Sequence, residues 1–208
     1  MLLMIPPGMG AVVTNKLTWT GLAWGAGFYP LLAFVAAVAG GAWRRWHGRL
    51  VMCALAAMCA AGVFGRGNFL LGFAALALAH LFVLAALVAL RPRWRRVLVA
   101  AVLAAAVIGP LFGWLGGEVS PREEVPLFAI HAVLLTIMLA LAGGAGNWRT
   151  PAGVISLALA GFCYFYARYA DTTHIGLLLS LFFYCFSQML LAAGAWVSGG
   201  NGAVGTPS

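Results

Sequence analysis

The sequence predicts an all-α protein, a polytopic transmembrane helical bundle with seven spans. Three observations carry that expectation. Hydrophobic residues make up 64% of the 208 and charged residues only 8%, against roughly 25% charged in an ordinary soluble domain. Mean hydropathy is +1.01. The apolar residues gather into seven long runs that are almost free of charge, and none of the runs contains an Asp or Glu. An apolar run needs roughly 20 residues, rising about 1.5 Å each, to cross a hydrocarbon layer about 30 Å thick.

In chain order, residues 1–16 form an irregular or interfacial tail. Met1–Thr14 has no basic start, and Pro6, Pro7, Gly8 and Gly10 interrupt its apolar run, so it does not match a signal peptide. A single membrane domain is expected over 17–197, with spans near Gly21–Ala42, Leu50–Phe64, Phe69–Leu90, Val97–Leu115, Val125–Leu141, Ala152–Tyr169 and Ile175–Val197. The second, from 50 to 64, is short of the usual length, so it must extend at its flanks, tilt little or cross only part-way. Residues 198–208, rich in Gly, Asn and Ser, are expected to be disordered.

Pro30 and Pro110 lie inside spans and are expected to kink or locally open them. The series Gly21, Gly25, Gly27 and Gly109, Gly113, Gly117 is spaced for close helix contacts. Trp43, Trp46, Trp94, Trp148 and Trp196 fall near span ends, where an indole anchors depth in the headgroup region. Cys53, Cys59, Cys163 and Cys185 all lie within spans, none in a CxxC spacing, and are read as small buried hydrophobes. No phosphate loop, GxGxxG, HExxH or GxSxG occurs. No metal site and no cofactor are predicted.

The net charge of +8 does not indicate nucleic acid, because the basic residues occupy the connectors. With alternating spans, Arg44, Arg45, Arg49, Arg91, Arg93, Arg95, Arg96 and Arg149 share one side. Lys16, Arg66, Arg122 and Arg168 share the other with Glu118, Glu123, Glu124 and Asp171. Basic residues are retained in the cytoplasm, so the N-terminus is expected outside and the C-terminus inside, in a bacterial inner (cell) membrane. The expected partners are membrane lipids, anionic ones included, and a membrane-protein partner.

Polar side chains at membrane depth are functional candidates by default. His80 lies midway along the third span and His131 within the fifth, with Thr136 beyond it. Tyr164, Tyr166 and Arg168 lie on the sixth, and Tyr184, Ser187 and Gln188 on the seventh. The two histidines admit three readings: a neutral imidazole hydrogen-bonded across helices to Tyr184 or Gln188, a proton-transfer or substrate-polarising role, or two-histidine haem ligation. Tyr184 and Gln188, four apart, share one helix face, as do Tyr164 and Arg168. Arg168 either snorkels to the boundary or joins Asp171 and His174 in a lid over an outward opening.

These residues, in this order, resemble the YhhN family of membrane proteins, the lysoplasmalogenases, from about Phe28 to Gly194. The matching features are Tyr29–Pro30, then Phe69-Leu70-Leu71-Gly72 followed by His80, then Pro126…His131…Met138, then Gly153-Val154…Ala160-Gly161, and Phe183-Tyr184-Cys185-Phe186-Ser187-Gln188. The resemblance implies an eight-helix bundle, here without its first helix. It implies hydrolysis of the vinyl-ether bond of lysoplasmalogen, or action on a related single-chain lipid. The family's two acidic positions fall at about Cys59 and at Gly161, so both carboxylates are absent. Protonating a vinyl ether generates an oxocarbenium-like cation, which calls for a general acid and a stabilising negative charge. The catalytic candidates left are His80, His131 and Asp171, with Tyr164, Arg168, Tyr184 and Gln188 as substrate-binding candidates. The alternative is a non-catalytic scaffold or lipid-binding subunit of a larger membrane assembly.

Overall fold

The structure, a computed structural model, describes residues 16–64, 68–119, 122–170 and 175–197, the side chains of 16–27, 69 and 195–197 excepted. Among the described residues seven α-helices follow one another: α1 (Lys16–Ala39), α2 (Trp46–Phe64), α3 (Phe69–Ala89), α4 (Trp94–Glu118), α5 (Val125–Gly143), α6 (Arg149–Tyr169) and α7 (Ile175–Val197). Single 3₁₀ turns at Ala42–Arg44 and Arg122–Glu124 precede α2 and α5. Among the described residues six helices, α2 to α7, are long and apolar enough to cross a membrane. Six of the seven expected spans are thus supported. The described apolar part of α1, Phe28–Ala39, falls short of crossing length by itself.

The second span is longer than its apolar core suggested. α2 begins at Trp46 and reaches 19 residues, because His47, Gly48 and Arg49 form its first turn. The guanidinium Nε of Arg49 donates to the Trp43 carbonyl at 2.7 Å, which fixes the turn ahead of the helix. The chain reverses between α1 and α2 at Gly41, whose φ of +74° suits a residue without a Cβ. Asn68 caps α3, its side chain accepting from the Leu71 N–H at 3.2 Å. Before α6, Asn147 Oδ1 accepts from both the N–H and the hydroxyl of Thr150. The α3–α4 connector is tied to the end of α5 where the Arg93 N–H meets the Gly144 carbonyl at 3.0 Å. The two helices with proline in their interior, α1 and α4, run continuously through Pro30 and Pro110.

Helix contacts close a ring in the order α1, α2, α3, α5, α6, α7 and back to α1, with α2 also touching α7. α4 stands outside it, packed on α5 and α6 alone among the stronger contacts. The core follows: Met58, Ala79, Val83, Leu135, Met138 and Val154 are fully enclosed. α4 turns Leu98, Val99, Val102, Leu103 and Val107 outward, which is neutral in lipid because hydrocarbon on either side is equally apolar.

Two expectations about small residues change with this arrangement. A Cβ added at Gly109, Gly113 or Gly117 would meet nothing within 4 Å. That face of α4 points away from the ring, so these glycines make no close contact within the described chain. The tight approaches lie elsewhere, at Gly48 against the Ala42 backbone and at Gly153 against Leu190 and Leu191. The cysteines are not the buried hydrophobes expected: Cys53 is exposed, and Cys59, Cys163 and Cys185 are half-buried. A small, weakly polar side chain is not driven inward when its surroundings are already apolar. Trp43, Trp46, Trp94 and Trp148 are exposed at helix ends as anticipated, with Arg44 over the Trp43 ring and Arg149 over Trp148. The side chain of Trp196 lies outside the described residues.

Candidate functional site

The inward face of α5 follows a helical stripe: Glu124, Phe128, His131, Leu135 and Met138, at offsets of four, seven, eleven and fourteen. α6 runs antiparallel to it and presents Arg168, Phe165, Gly161 and Leu157. The two faces meet in register. Arg168 pairs with Glu124, Phe165 packs edge-on to Phe128 with ring centroids 5.0 Å apart, and Gly161 faces His131. A Cβ at Gly161 would sit 2.6 Å from His131 Nε2. Only glycine lets the imidazole lie against the α6 backbone.

His80 enters from α3. Its ring centroid is 5.0 Å from that of His131, in an edge-to-face arrangement at 64°. Both side chains are buried, at 0% and 3% exposure. The two histidines thus meet at the centre of the ring, as a shared site requires. Phe73 and Phe165 flank His131, with centroids at 6.5 and 5.1 Å.

Among the described residues, neither ring nitrogen of His80 has a hydrogen-bond partner, and neither does His131 Nε2. The cross-helix bond expected from an imidazole to Tyr184 or Gln188 is therefore not made through any of these three nitrogens. The haem reading finds no slot either. Edge-to-face rings in contact, with Gly161 closing on Nε2, leave no room for a porphyrin between them. The Tyr164 hydroxyl on α6 and Gln188 Oε1 on α7 are also buried without hydrogen-bond partners among the described residues. Five partnerless polar atoms therefore lie in the interior, on four different helices. Each such group costs about 1–3 kcal/mol relative to a satisfied one.

On α7, Tyr184 is buried and within electrostatic reach of Cys59 on α2. The Ser187 hydroxyl donates to the Tyr184 carbonyl at 2.8 Å, and Gln188 Nε2 donates to Ser187 Oγ at 3.3 Å. The Ser180 hydroxyl donates across to the Ala160 carbonyl at 2.8 Å, and that of Thr136 donates back along α5 to Ala132. Beside this helix, between α7 and α1, runs an apolar crevice of about 330 Å³ walled by Ala33, Ala36, Ala37, Met189, Ala192 and Ala193, with Tyr29 and Leu32. Gln188 precedes Met189 and lies one turn before Ala192, without itself lining the crevice.

Arg168 has partners that the sequence reading did not name. Its guanidinium makes a forked contact with Glu124, Nη2 at 2.8 and 2.9 Å from the two oxygens and Nε at 3.2 Å, and it lies over the Tyr169 ring. The Tyr169 hydroxyl donates to the same carboxylate. Glu124 and Tyr169 are the members of this end cluster that sequence reasoning missed. Glu124 was grouped with the connector acids, although its place seven residues before His131 on one helical face was readable. Asp171 and His174, the proposed lid partners, lie outside the described residues. Among the described residues no three of His, Cys, Asp and Glu gather as a metal site would require.

Comparison of the chain with protein-family models, curated proteins and solved structures finds no match. The residues themselves therefore carry the functional argument. The chain is an all-α polytopic membrane protein with six candidate spans among its described residues and lipid as its surroundings.

Proposed function

We propose that this protein binds a single-chain lipid between its helices, with the alkyl chain in the crevice between α1 and α7 and the polar end turned toward Gln188. The observation that supports this reading most directly is the alanine-walled crevice itself, whose α7 wall follows directly on Gln188, a buried residue with a partnerless amide oxygen among the described residues. An apolar wall of alanines accepts a flexible chain, and a donor on the ligand would satisfy Gln188 Oε1. Mass spectrometry of lipid extracted from the purified protein tests it. The expected result is a stoichiometric single-chain lipid, lost when Ala36→Trp and Ala193→Trp fill the crevice. Equal lipid content in wild type and filled variant would refute it.

A second reading, the hydrolysis implied by the YhhN resemblance, is supported by the His80–His131 pair. One imidazolium delivering its proton to a vinyl-ether carbon becomes neutral as the substrate turns cationic, so no lasting repulsion develops. The other imidazole, neutral until then, can take a proton from the attacking water and pass it to the leaving glycerol oxygen as the hemiacetal collapses, while the hemiacetal O–H proton recharges the first. Glu124 does not supply the counter-charge of a carboxylate, because Arg168 already neutralises it. Incubation of the protein with a lysoplasmalogen should release fatty aldehyde, abolished in His80→Ala and in His131→Ala. No release between pH 5 and 8 would leave a lipid-binding protein or a subunit of a membrane assembly.

The orientation follows from the same reasoning. With α1 completing a seventh crossing, the arginine-rich end is cytoplasmic, the N-terminus lies outside and the C-terminus inside. Labelling of single cysteines introduced at Arg44 and Arg122 from each side of sealed vesicles reports it directly.

A further inference from the structure

We propose that the groove between the start of α4 and the end of α5 binds the headgroup of an anionic phospholipid. The groove holds about 450 Å³ and is lined by Arg95, Arg96, Val99, Ala100, Leu103 and Gly143. Its composition is that of a lipid turned on end: two guanidinium groups at the helix terminus, then an apolar track along α4. Both arginines are exposed, and neither is paired with a described carboxylate. The acid at the far end of the same helix, Glu118, is 22 residues from Arg96, roughly 33 Å by helical rise. Arg91 and Arg93 add to the same unbalanced positive end.

Local electrostatics make the arrangement unfavourable unless an anion is present. Arg95 and Arg96 occupy the first turn of a 25-residue helix that has no acid there, and the N-cap residue, Arg93, makes no side-chain cap. Cations at a helix N-terminus oppose the macrodipole, whereas a phosphate there is attracted by the dipole, the free N–H groups and both arginines together. A guanidinium matches phosphate oxygens with paired N–H donors. Gly143 keeps the groove shallow at its α5 wall, since a Cβ there would run into Ala100. Exposed Trp94 stands beside the pair at interfacial depth. Basic pockets between transmembrane helices are a recognised setting for acidic headgroups.

The test is native mass spectrometry of the full chain in a zwitterionic detergent, titrated with phosphatidylglycerol and, separately, phosphatidylcholine. The wild type should retain phosphatidylglycerol preferentially. Arg95→Gln with Arg96→Gln should weaken it on the order of tenfold. Leu103→Trp, which blocks the apolar track and leaves the charge intact, should weaken it as well. Arg44→Gln with Arg149→Gln, which removes the same charge from the same end outside the groove, should leave it unchanged. Equal loss in that control would show diffuse surface attraction and overturn the site. So would equal retention of the two lipids, or displacement by inorganic phosphate as readily as by lipid. All variants lie on exposed or half-exposed positions, and an unchanged thermal midpoint certifies their folding.

Discussion

Replacing Arg168 by methionine leaves the Glu124 carboxylate enclosed at the end of the bundle with, among the described residues, only the Tyr169 hydroxyl against it. The side chains of the pair are 10% and 15% exposed, and three N–H···O contacts join them. This pair therefore belongs with buried ion pairs, for which removing one partner costs about 3–5 kcal/mol, and not with surface pairs worth about 0–1 kcal/mol. Glu124→Met should also destabilise, by removing the carboxylate that the guanidinium contacts three times. The double variant removes both charges and should lie within about 1–2 kcal/mol of wild type, since an apolar pair of similar volume often replaces a buried ion pair without loss. The assay is a double-mutant cycle measured by reversible unfolding in mixed SDS micelles. A coupling energy above about 2 kcal/mol is expected, far larger than additivity allows. Single losses below 1 kcal/mol that simply add would refute the reasoning, because they would mean that water reaches the pair.

Gly161→Ala should destabilise the protein by about 1–3 kcal/mol, since its Cβ must displace the His131 ring or the α6 backbone; a thermal midpoint equal to wild type would contradict the close packing. His80→Leu removes two partnerless nitrogens from the centre and should be neutral or stabilising in thermal unfolding. A large destabilisation would show those nitrogens to be satisfied in the working protein. Gly113→Leu on the outer face of α4 should change stability by less than about 0.5 kcal/mol, as nothing lies within reach of its Cβ. A change in the oligomeric state seen by light scattering would instead place a partner there.

The helices were legible because composition and run length report the bilayer directly. α3 to α7 stand within a few residues of their predicted bounds. The start of α2 was not legible, because His47, Gly48 and Arg49 are polar enough to end a hydropathy run yet form an ordinary first helical turn. The α4 glycines misled for a different reason: spacing shows which residues share a face, but not whether another helix lies opposite. His80 and His131 stood out as rare polar groups at depth. Their meeting depends on α3 and α5 being neighbours in the ring although α4 lies between them in sequence, a pairing that no local pattern encodes. Glu124 was missed because an acid at the end of a run looks solvated until a partner such as Arg168, 44 residues later, is seen to face it.

The register between α5 and α6 also sets where the chain can change length. Glu124 opposite Arg168 and His131 opposite Gly161 are each separated by seven residues along their own helix, so both contacts hold together only if neither interval changes. One residue inserted between 124 and 131, or between 161 and 168, would turn one contact by about 100° relative to the other and shift it by about 1.5 Å. The connector between the two helices, residues 144–148, lies beyond both intervals. Length variants of this chain should therefore accumulate there and be absent from the two seven-residue intervals that hold the end pair and the histidine centre in step.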